Sequence, residues 1–396
     1  MVQDFKVIDE LDLKNKRVFI RVDFNVPIKE GRVSDATRIE AALPTIRFAL
    51  EQGGKVVLAS HLGRPKGQRD PAFSLAPVSA ALSDLLKMPV KMAPDCVGVD
   101  VEAMVNALRP GEVLLLENLR FHAGEKKSDP DFAQSLARLA DVYVNDAFGT
   151  AHRAHASTAG MASLVTERAA GFLLKRECEY LGKVFTHPDR PFVAMLGGAK
   201  VSDKIPVIRS FLEKVDVLLI GGAMAYTFLR AQGQETGNSL VEEDQIPLAA
   251  ELLRIAADRK IPMLLPTDHV VAERAEEGSA ATTVSGDIPE GKTGLDIGPE
   301  TIRAFSKEVA KAGTVFWNGP LGVFEIKPFD AGTMAMAKAL SESAALTVVG
   351  GGDSVAAVKR SGVAEAITHI STGGGASLEY LEGKKLPGIE ALRRND

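Results

Sequence analysis

Short apolar, β-rich runs alternate with helical patterns along all 396 residues. That alternation constrains the fold most, because it marks parallel sheets whose strands are joined by helical crossovers. In the first half the runs are 17–24, 55–60, 113–116 and 142–144; in the second they are 192–196, 217–220, 263–265, 314–317, 346–349 and 367–370. Helical patterns fall between them at 35–52, 74–87, 130–139, 247–259, 299–312 and 332–343. Most open at Ser, Asp, Pro or Gly and close near Gly, as end-capping chemistry requires. A chain this long exceeds one ordinary core and calls for two domains. Between the halves, residues 171–185 carry Phe172, Leu173, Leu174, Tyr180, Leu181, Val184 and Phe185 without strand patterning. The pattern ends at His187-Pro188, where proline disfavours more helix, and reads as a helix joining two lobes.

Charge and cysteine content exclude several classes. With 47 basic and 52 acidic residues the net charge is -5, which argues against a general nucleic-acid or membrane-surface binder. Any anion site must be a local basic patch. Cys96 and Cys178 are the only cysteines and show no CxxC or Cys/His ligand spacing. That suits a reducing compartment and speaks against a disulfide framework or a structural zinc. No apolar run approaches the roughly 20 residues that span a bilayer, and residues 1–13 lack a signal-peptide core. The expectation is a cytoplasmic protein.

In open α/β sheets ligands sit beyond the carboxyl ends of the strands. First-half runs lead into Asp23-Phe24-Asn25, His61-Leu62-Gly63-Arg64, Glu117-Asn118-Leu119-Arg120 and Asn145-Asp146, the last continuing to His152-Arg153-Ala154-His155. Second-half runs lead into Gly197-Gly198, Gly221-Gly222, Asn318-Gly319-Pro320, Gly350-Gly351-Gly352-Asp353 and Gly373-Gly374-Gly375. The first lobe thus offers Arg and His, the second bare backbone. Arginine forks bind carboxylate and phosphate bidentately, whereas glycine turns let backbone donors approach phosphates. Segregation by lobe points to phosphoryl transfer between a nucleotide on the second lobe and a small anionic acceptor on the first. In the stretch 196–205, Lys200 and Lys204 are four apart, so a helix starting there would put both ammonium groups on one face beside a glycine turn. The same stretch also fits an ordinary βα turn with two solvated lysines.

Two features carry less. Residues 286–293 match GxxxxGK[ST], but a phosphate loop must follow a strand and open a helix; here Gly294 follows at once and no helix pattern precedes Pro299, so a polar loop is expected. No GxGxxG follows a strand. Among the seven histidines, His61 is expected to bind ligand, while His187, His269 and His369 are expected to be structural or exposed. Glu125-Lys126-Lys127 reads as a solvated loop.

The runs 21–27, 60–65, 117–121, 146–155, 197–205, 317–320, 350–354 and 371–375 together resemble the phosphoglycerate kinase family, in the family's order and over essentially the whole chain. The resemblance implies an α/β fold: two Rossmann-like lobes with parallel six-stranded sheets flanked by helices, joined by an inter-lobe helix. It implies a phosphoglycerate-binding lobe at 1–170, with a tail at 379–396 packing back on it, a helix at 171–187 and a nucleotide-binding lobe at 188–378. It further implies reversible phosphoryl transfer between ATP and the carboxylate of 3-phosphoglycerate, with magnesium, in a monomer that uses neither nucleic acid nor membrane. Asp23, Asn25, Arg38, His61, Leu62, Gly63, Arg64, Arg120 and Arg153 match the family's phosphoglycerate site. Gly197, Gly198, Lys204, Gly221, Gly222, Gly294, Asn318, Glu325, Gly351, Gly352, Asp353 and Ser354 match its nucleotide site, with Asp353 toward the metal and Glu325 toward the ribose. Arg38, Lys200, Gly352 and Gly375 are the expected catalytic groups, acting after the lobes close. Two other readings stay open at this point: a different acyl-phosphate-forming kinase, and a non-catalytic two-domain anion binder.

Overall fold

The computed structural model describes residues 4–394 and divides into two units, 4–179 with 385–394, and 180–384. The strand Arg17–Val22 is buried from Val18 onward, and Phe192–Leu196, Thr314–Asn318 and Val142–Asp146 are buried throughout. Runs apolar on both faces need helices on both faces, which is why they assemble as parallel sheets.

In the first unit the six parallel strands lie in the order Val90–Met92, Val113–Leu115, Lys55–Ala59, Arg17–Val22, Val142–Asp146, Glu167–Ala170. In the second the order is Met263–Leu264, Val217–Ile220, Phe192–Leu196, Thr314–Asn318, Leu346–Gly350, His369–Ile370. Counted along its own chain, the second sheet runs 3-2-1-4-5-6, the doubly wound order whose direction reverses between Phe192–Leu196 and Thr314–Asn318. Its binding crevice therefore falls where Gly197-Gly198 and Gly319-Pro320 leave the sheet. Two strands of the first sheet, Val90–Met92 and Glu167–Ala170, are edge strands that the apolar pattern does not show. One is three residues with Lys91 exposed, and the other is half charged.

A further three-stranded antiparallel sheet, Thr282–Ser285, Asp268–Ala272 and Thr293–Ile297, belongs to the second unit and departs from the purely parallel expectation. It also explains the false phosphate loop. Residues 286–292 connect two of its strands, with Gly286 and Gly291 at positive φ, and no helix follows before Pro299–Lys311. The tail 385–394 pairs with the first unit through the Phe5–Arg393 bridge and the Gly388 amide on the Ala151 carbonyl (2.8 Å). Residues 379–384 stay with the second, where the Ser210 hydroxyl donates to the Leu381 carbonyl (2.8 Å).

The helix Phe172–Thr186 is capped from far away in sequence. Its first three amides lack intrahelical partners. Thr45 Oγ1 accepts from the Phe172 amide (2.9 Å), and Asp146 Oδ1 accepts from those of Leu173 (2.9 Å) and Leu174 (3.1 Å). A Cβ on Gly171 would stand 2.2 Å from Asp146 Oδ1, so only glycine admits the carboxyl there. Burial pushes the Asp146 carboxyl up to about 7, against the bonds from Thr45, Leu174 and Leu173. Between the unfolded value near 4 and 7 the folded chain binds the extra proton, so this group's contribution falls as pH rises through that window. Asp146→Asn is expected to remove a slope on the order of 1.4 kcal/mol per pH unit between about pH 5 and 7. Denaturant melts across that range check it, and an unchanged slope would contradict the buried carboxyl's role.

Candidate functional site

In the first unit the charged residues gather at the carboxyl ends of Arg17–Val22, Lys55–Ala59 and Val113–Leu115. Arg38, in the first turn of Thr37–Glu51, donates from Nη1 to Asp23 Oδ2 (2.7 Å) with its side chain 36% exposed. Asn25 Oδ1 accepts from the Gly63 amide (2.9 Å), and the Gly63 carbonyl accepts from Arg120 Nη1 (2.8 Å). Asn118 locks the same loops together: its Oδ1 accepts from the Leu62 amide (3.2 Å) and its Nδ2 donates to the Leu62 carbonyl (2.8 Å). The Leu62 side chain is buried, so only its backbone belongs to this rim. Arg64 and Arg153 are exposed.

Beneath them lies a layer that sequence reading does not assign. Arg21, fully buried, donates from Nε to Ser157 Oγ (2.8 Å), from Nη1 to the Val22 carbonyl and from Nη2 to His61 Nδ1 (3.2 Å). Ser157 gives its hydroxyl (2.6 Å) and its amide (3.0 Å) to Glu125, which is also fully buried. The stretch is not a loop but the end of the short helix Ala123–Lys127, on which Lys126 and Lys127 are exposed as expected of solvated lysines while Glu125 is buried. Glu125 turns inward because it opposes several guanidinium groups. The available signal was Arg21 itself, a charge inside the apolar run Val18-Phe19-Ile20-Arg21-Val22.

This crowd of cations sets the histidines. Burial, then Arg21, Arg120 and Arg38, hold His61 well below its usual range. Although Asp23 Oδ1 is 3.9 Å from His61 Nδ1, the ring is neutral there and accepts from Arg21. Burial with Arg120, Arg21 and Arg153 lowers His155 to about 4, so its 3.9 Å approach to Glu125 is not an ion pair either. Arg120 itself falls to about 10, chiefly by burial and then by Arg21. Such mutual repulsion is relieved by an anion.

In the second unit the glycines separate into two kinds. A Cβ on Gly197 would meet the Pro320 carbonyl oxygen at 2.1 Å, on Gly221 the Leu321 side chain at 2.6 Å, and on Gly222 the Gly198 amide at 2.6 Å. Their amides are spent inside the protein: Gly197 on Asn318, Gly198 on Pro320, Gly221 on Leu196 and Gly222 on Leu321. Gly197, Gly221 and Gly222 pack loops tightly, whereas a Cβ on Gly198 would meet nothing within 4 Å; none of the four offers its amide as a donor, contrary to the bare-backbone expectation. Gly294 lies within the strand Thr293–Ile297, where a Cβ would reach 2.2 Å from Tyr226 Oη. Gly352 is different. It opens the helix Gly352–Arg360, and a Cβ there would meet nothing within 4 Å. First-turn amides of a helix have no intrahelical partner, and the dipole favours an anion there.

The two lysines also part. The helix begins at Ile205 and runs to Phe211, so Lys200 and Lys204 share no helical face; the turn 202–204 intervenes. Lys200 is exposed. Lys204 is half-buried and donates to Asn318 Oδ1, and burial lowers its ammonium against Asp203 and Asp353. Asn318 Nδ2 is buried without a partner, and a Cβ on Gly351 would stand 2.9 Å from it. Ser354 turns inward, its Oγ accepting from the Gly319 amide (2.5 Å), while Asp353 and Glu325 are exposed. Gly375 opens the short helix Gly375–Leu381 after Gly374, whose φ of +52° favours glycine.

A doubly wound sheet with glycine turns at its switch point, in one chain with a second sheet rimmed by arginines, places the chain among two-unit α/β proteins built to hold anionic ligands. The family model described as Phosphoglycerate kinase matches residues 8–384, and the chain belongs to that family. It is 59% identical over 392 residues to a phosphoglycerate kinase of Solibacter usitatus (strain Ellin6076), covering 98% of this chain and 99% of the relative. A phosphoglycerate kinase of Moorella thermoacetica (strain ATCC 39073 / JCM 9320) is 59% identical over 386 residues, covering 97% and 98%. The solved phosphoglycerate kinase of Coxiella burnetii superposes with a TM-score of 0.89 at 43% identity, and that of Pyrococcus horikoshii OT3 with 0.86 at 33%; each comparison covers 98% of both chains.

Proposed function

We propose that this phosphotransferase moves a phosphoryl group between ATP and the carboxylate of 3-phosphoglycerate, giving 1,3-bisphosphoglycerate and ADP, with the acid on the first unit and the nucleotide on the second. The observation that carries the division is the contrast between the two strand ends: Arg38, Arg120 and Arg153 over a buried Arg21 and two neutral histidines on one, and an open helix N-terminus at Gly352 beside Lys204 on the other. A coupled assay of ADP production from ATP, run with and without 3-phosphoglycerate, tests it. Turnover with acetate or carbamate but not with 3-phosphoglycerate would overturn the substrate.

The nucleophile is a carboxylate, ionised at neutral pH because carboxyls titrate near 4. It needs no general base, in keeping with His61 and His155 being committed to the cationic layer. The transition state needs in-line positioning and compensation for charge on the migrating group's equatorial oxygens. Arg38 supplies this from the first unit; Lys200, the Gly352 amide and the Gly375 turn supply it from the second. Arg64, Arg120, Arg153, Asn25 and the His61–Gly63 loop hold the acid; Lys204, Asn318, the Gly351–Ser354 turn and Glu325 hold the nucleotide. Asp353, exposed in the first helical turn, suits magnesium, a hard cation that keeps much of its water and binds through a carboxylate and phosphates. Ligands held on separate units react only when carried together, so closure with exclusion of water belongs to the proposal. Small-angle scattering profiles identical with and without both ligands would count against it.

Gly352 gives a test that separates fold from chemistry. Gly352→Ala is expected to leave stability unchanged or raise it by about 0.5 kcal/mol, because the methyl meets open space. The same methyl intrudes where a phosphate approaches, so kcat should fall about 10²-fold. Thermal melts and steady-state turnover read the two effects, and wild-type turnover would remove Gly352 from the site.

A further inference from the structure

We propose that Asp95, Cys96 and His122 form a second metal site, for a thiophilic divalent cation of the zinc class, behind the loop that carries Arg120. Sequence spacing speaks against such a site because Cys96 and His122 are 26 positions apart. The fold nevertheless brings a carboxylate oxygen, the thiol sulfur and an imidazole nitrogen of these residues within 4.8 Å of one another. A tetrahedral zinc holds its sulfur at about 2.3 Å and its nitrogen and oxygen at about 2.0–2.2 Å. Ligand atoms then stand roughly 3.3–3.6 Å apart, a side-chain adjustment from the present arrangement.

His122 Nε2 and Asp95 Oδ1 are 2.7 Å apart and share one proton, which a cation would displace as the two atoms move apart. Binding would shift that one proton of the neutral imidazole from Nε2 to Nδ1 and release the Cys96 proton to solvent, leaving thiolate, imidazole and carboxylate on the metal with water in the fourth position. Second contacts already orient the ligands. The Cys96 amide donates to Asp95 Oδ1 (2.7 Å), and the His122 ring stacks on Phe132 with centroids 5.2 Å apart. Cys96 is fully buried, while the Asp95 and His122 side chains are 36% and 33% exposed, so the cluster has a closed floor and an open entry. Asp95 also accepts the Glu117 amide on its carbonyl (3.4 Å), and the His122 amide donates to the Leu119 carbonyl (3.2 Å). An ion here would pin both ends of the segment that presents Asn118 and Arg120.

Cobalt distinguishes this site from the nucleotide's magnesium, because only a thiolate ligand gives a sulfur-to-cobalt charge-transfer band. Chelator-treated full-length protein would be titrated with Co²⁺ in excess Mg²⁺, as wild type, Cys178→Ala, Cys96→Ser and His122→Asn. The proposal expects one equivalent of Co²⁺ with that band in wild type and Cys178→Ala, displaced by one equivalent of Zn²⁺. It expects the band lost in Cys96→Ser and weakened at least tenfold in apparent affinity in His122→Asn. Should Cys96→Ser fail to fold, His122→Asn, altered at a part-exposed ring, still decides. Absence of the band in Cys178→Ala, or unchanged affinity in His122→Asn, overturns the site.

Discussion

Arg38→Ala is expected to lower kcat by about 10²–10³-fold, the usual cost of removing one donor aimed at transition-state charge. The Michaelis constant for the nucleotide should stay near wild type, because Arg38 belongs to the first unit and the nucleotide residues to the second. The fold should tolerate the change. Among the described residues Arg38 bonds only Asp23, and it is partly open to solvent, so its loss leaves Asp23 able to take water. Arg38→Lys should recover part of the rate, since an ammonium restores charge but not the planar fork. Steady-state kinetics with each substrate varied in turn would show the split. A variant with unchanged kcat, or one whose defect lies wholly in nucleotide binding, would remove Arg38 from the transfer step.

How far the sequence discloses such a site depends on what each residue does once folded. Strands buried on both faces announce themselves as apolar runs; Glu167–Ala170 and Val90–Met92, paired on one edge only, do not. The antiparallel sheet stays hidden because one outer strand, Thr282–Ser285, is largely exposed and polar and Gly294 interrupts the other, Thr293–Ile297. Rim residues such as Asn25, His61 and Arg120 follow strands directly and are legible from the strand-end rule. The layer beneath is not, because its members are distant in sequence: Arg21 meets Ser157 across 136 positions, and Ser157 meets Glu125 across 32. Glycines mislead in a different way. Sequence shows that Gly197 and Gly352 lack side chains, but not that one amide is bonded to Asn318 while the other opens a helix.

The buried layer carries the larger stability effect. Glu125 and Asp23 are the carboxylates among Arg21, Arg38, Arg120, Arg153, His61 and His155, and Glu125 lies deeper, with no exposed surface. Glu125→Gln deletes the charge and keeps one of the two acceptor oxygens that Ser157 uses, turning an amide NH2 toward its other donor and leaving Arg21 buried with its counter-charge gone. Breaking a buried charge arrangement by removing one partner costs about 3–5 kcal/mol, and a loss near the lower figure is expected here because the link runs through Ser157. Glu125→Ala should cost more, since the Ser157 amide and hydroxyl then also lose their acceptors, about 1–3 kcal/mol for an unmet buried group. Urea denaturation measures both. The cause can be separated from simple packing loss by adding an anion. Inorganic phosphate or 3-phosphoglycerate should restore more stability to Glu125→Gln than it adds to wild type, because the variant's arginines lack the charge that the ligand brings. Equal stabilisation of the two proteins would assign Glu125 to packing alone, and wild-type stability in Glu125→Gln would refute its role as the counter-charge of this site.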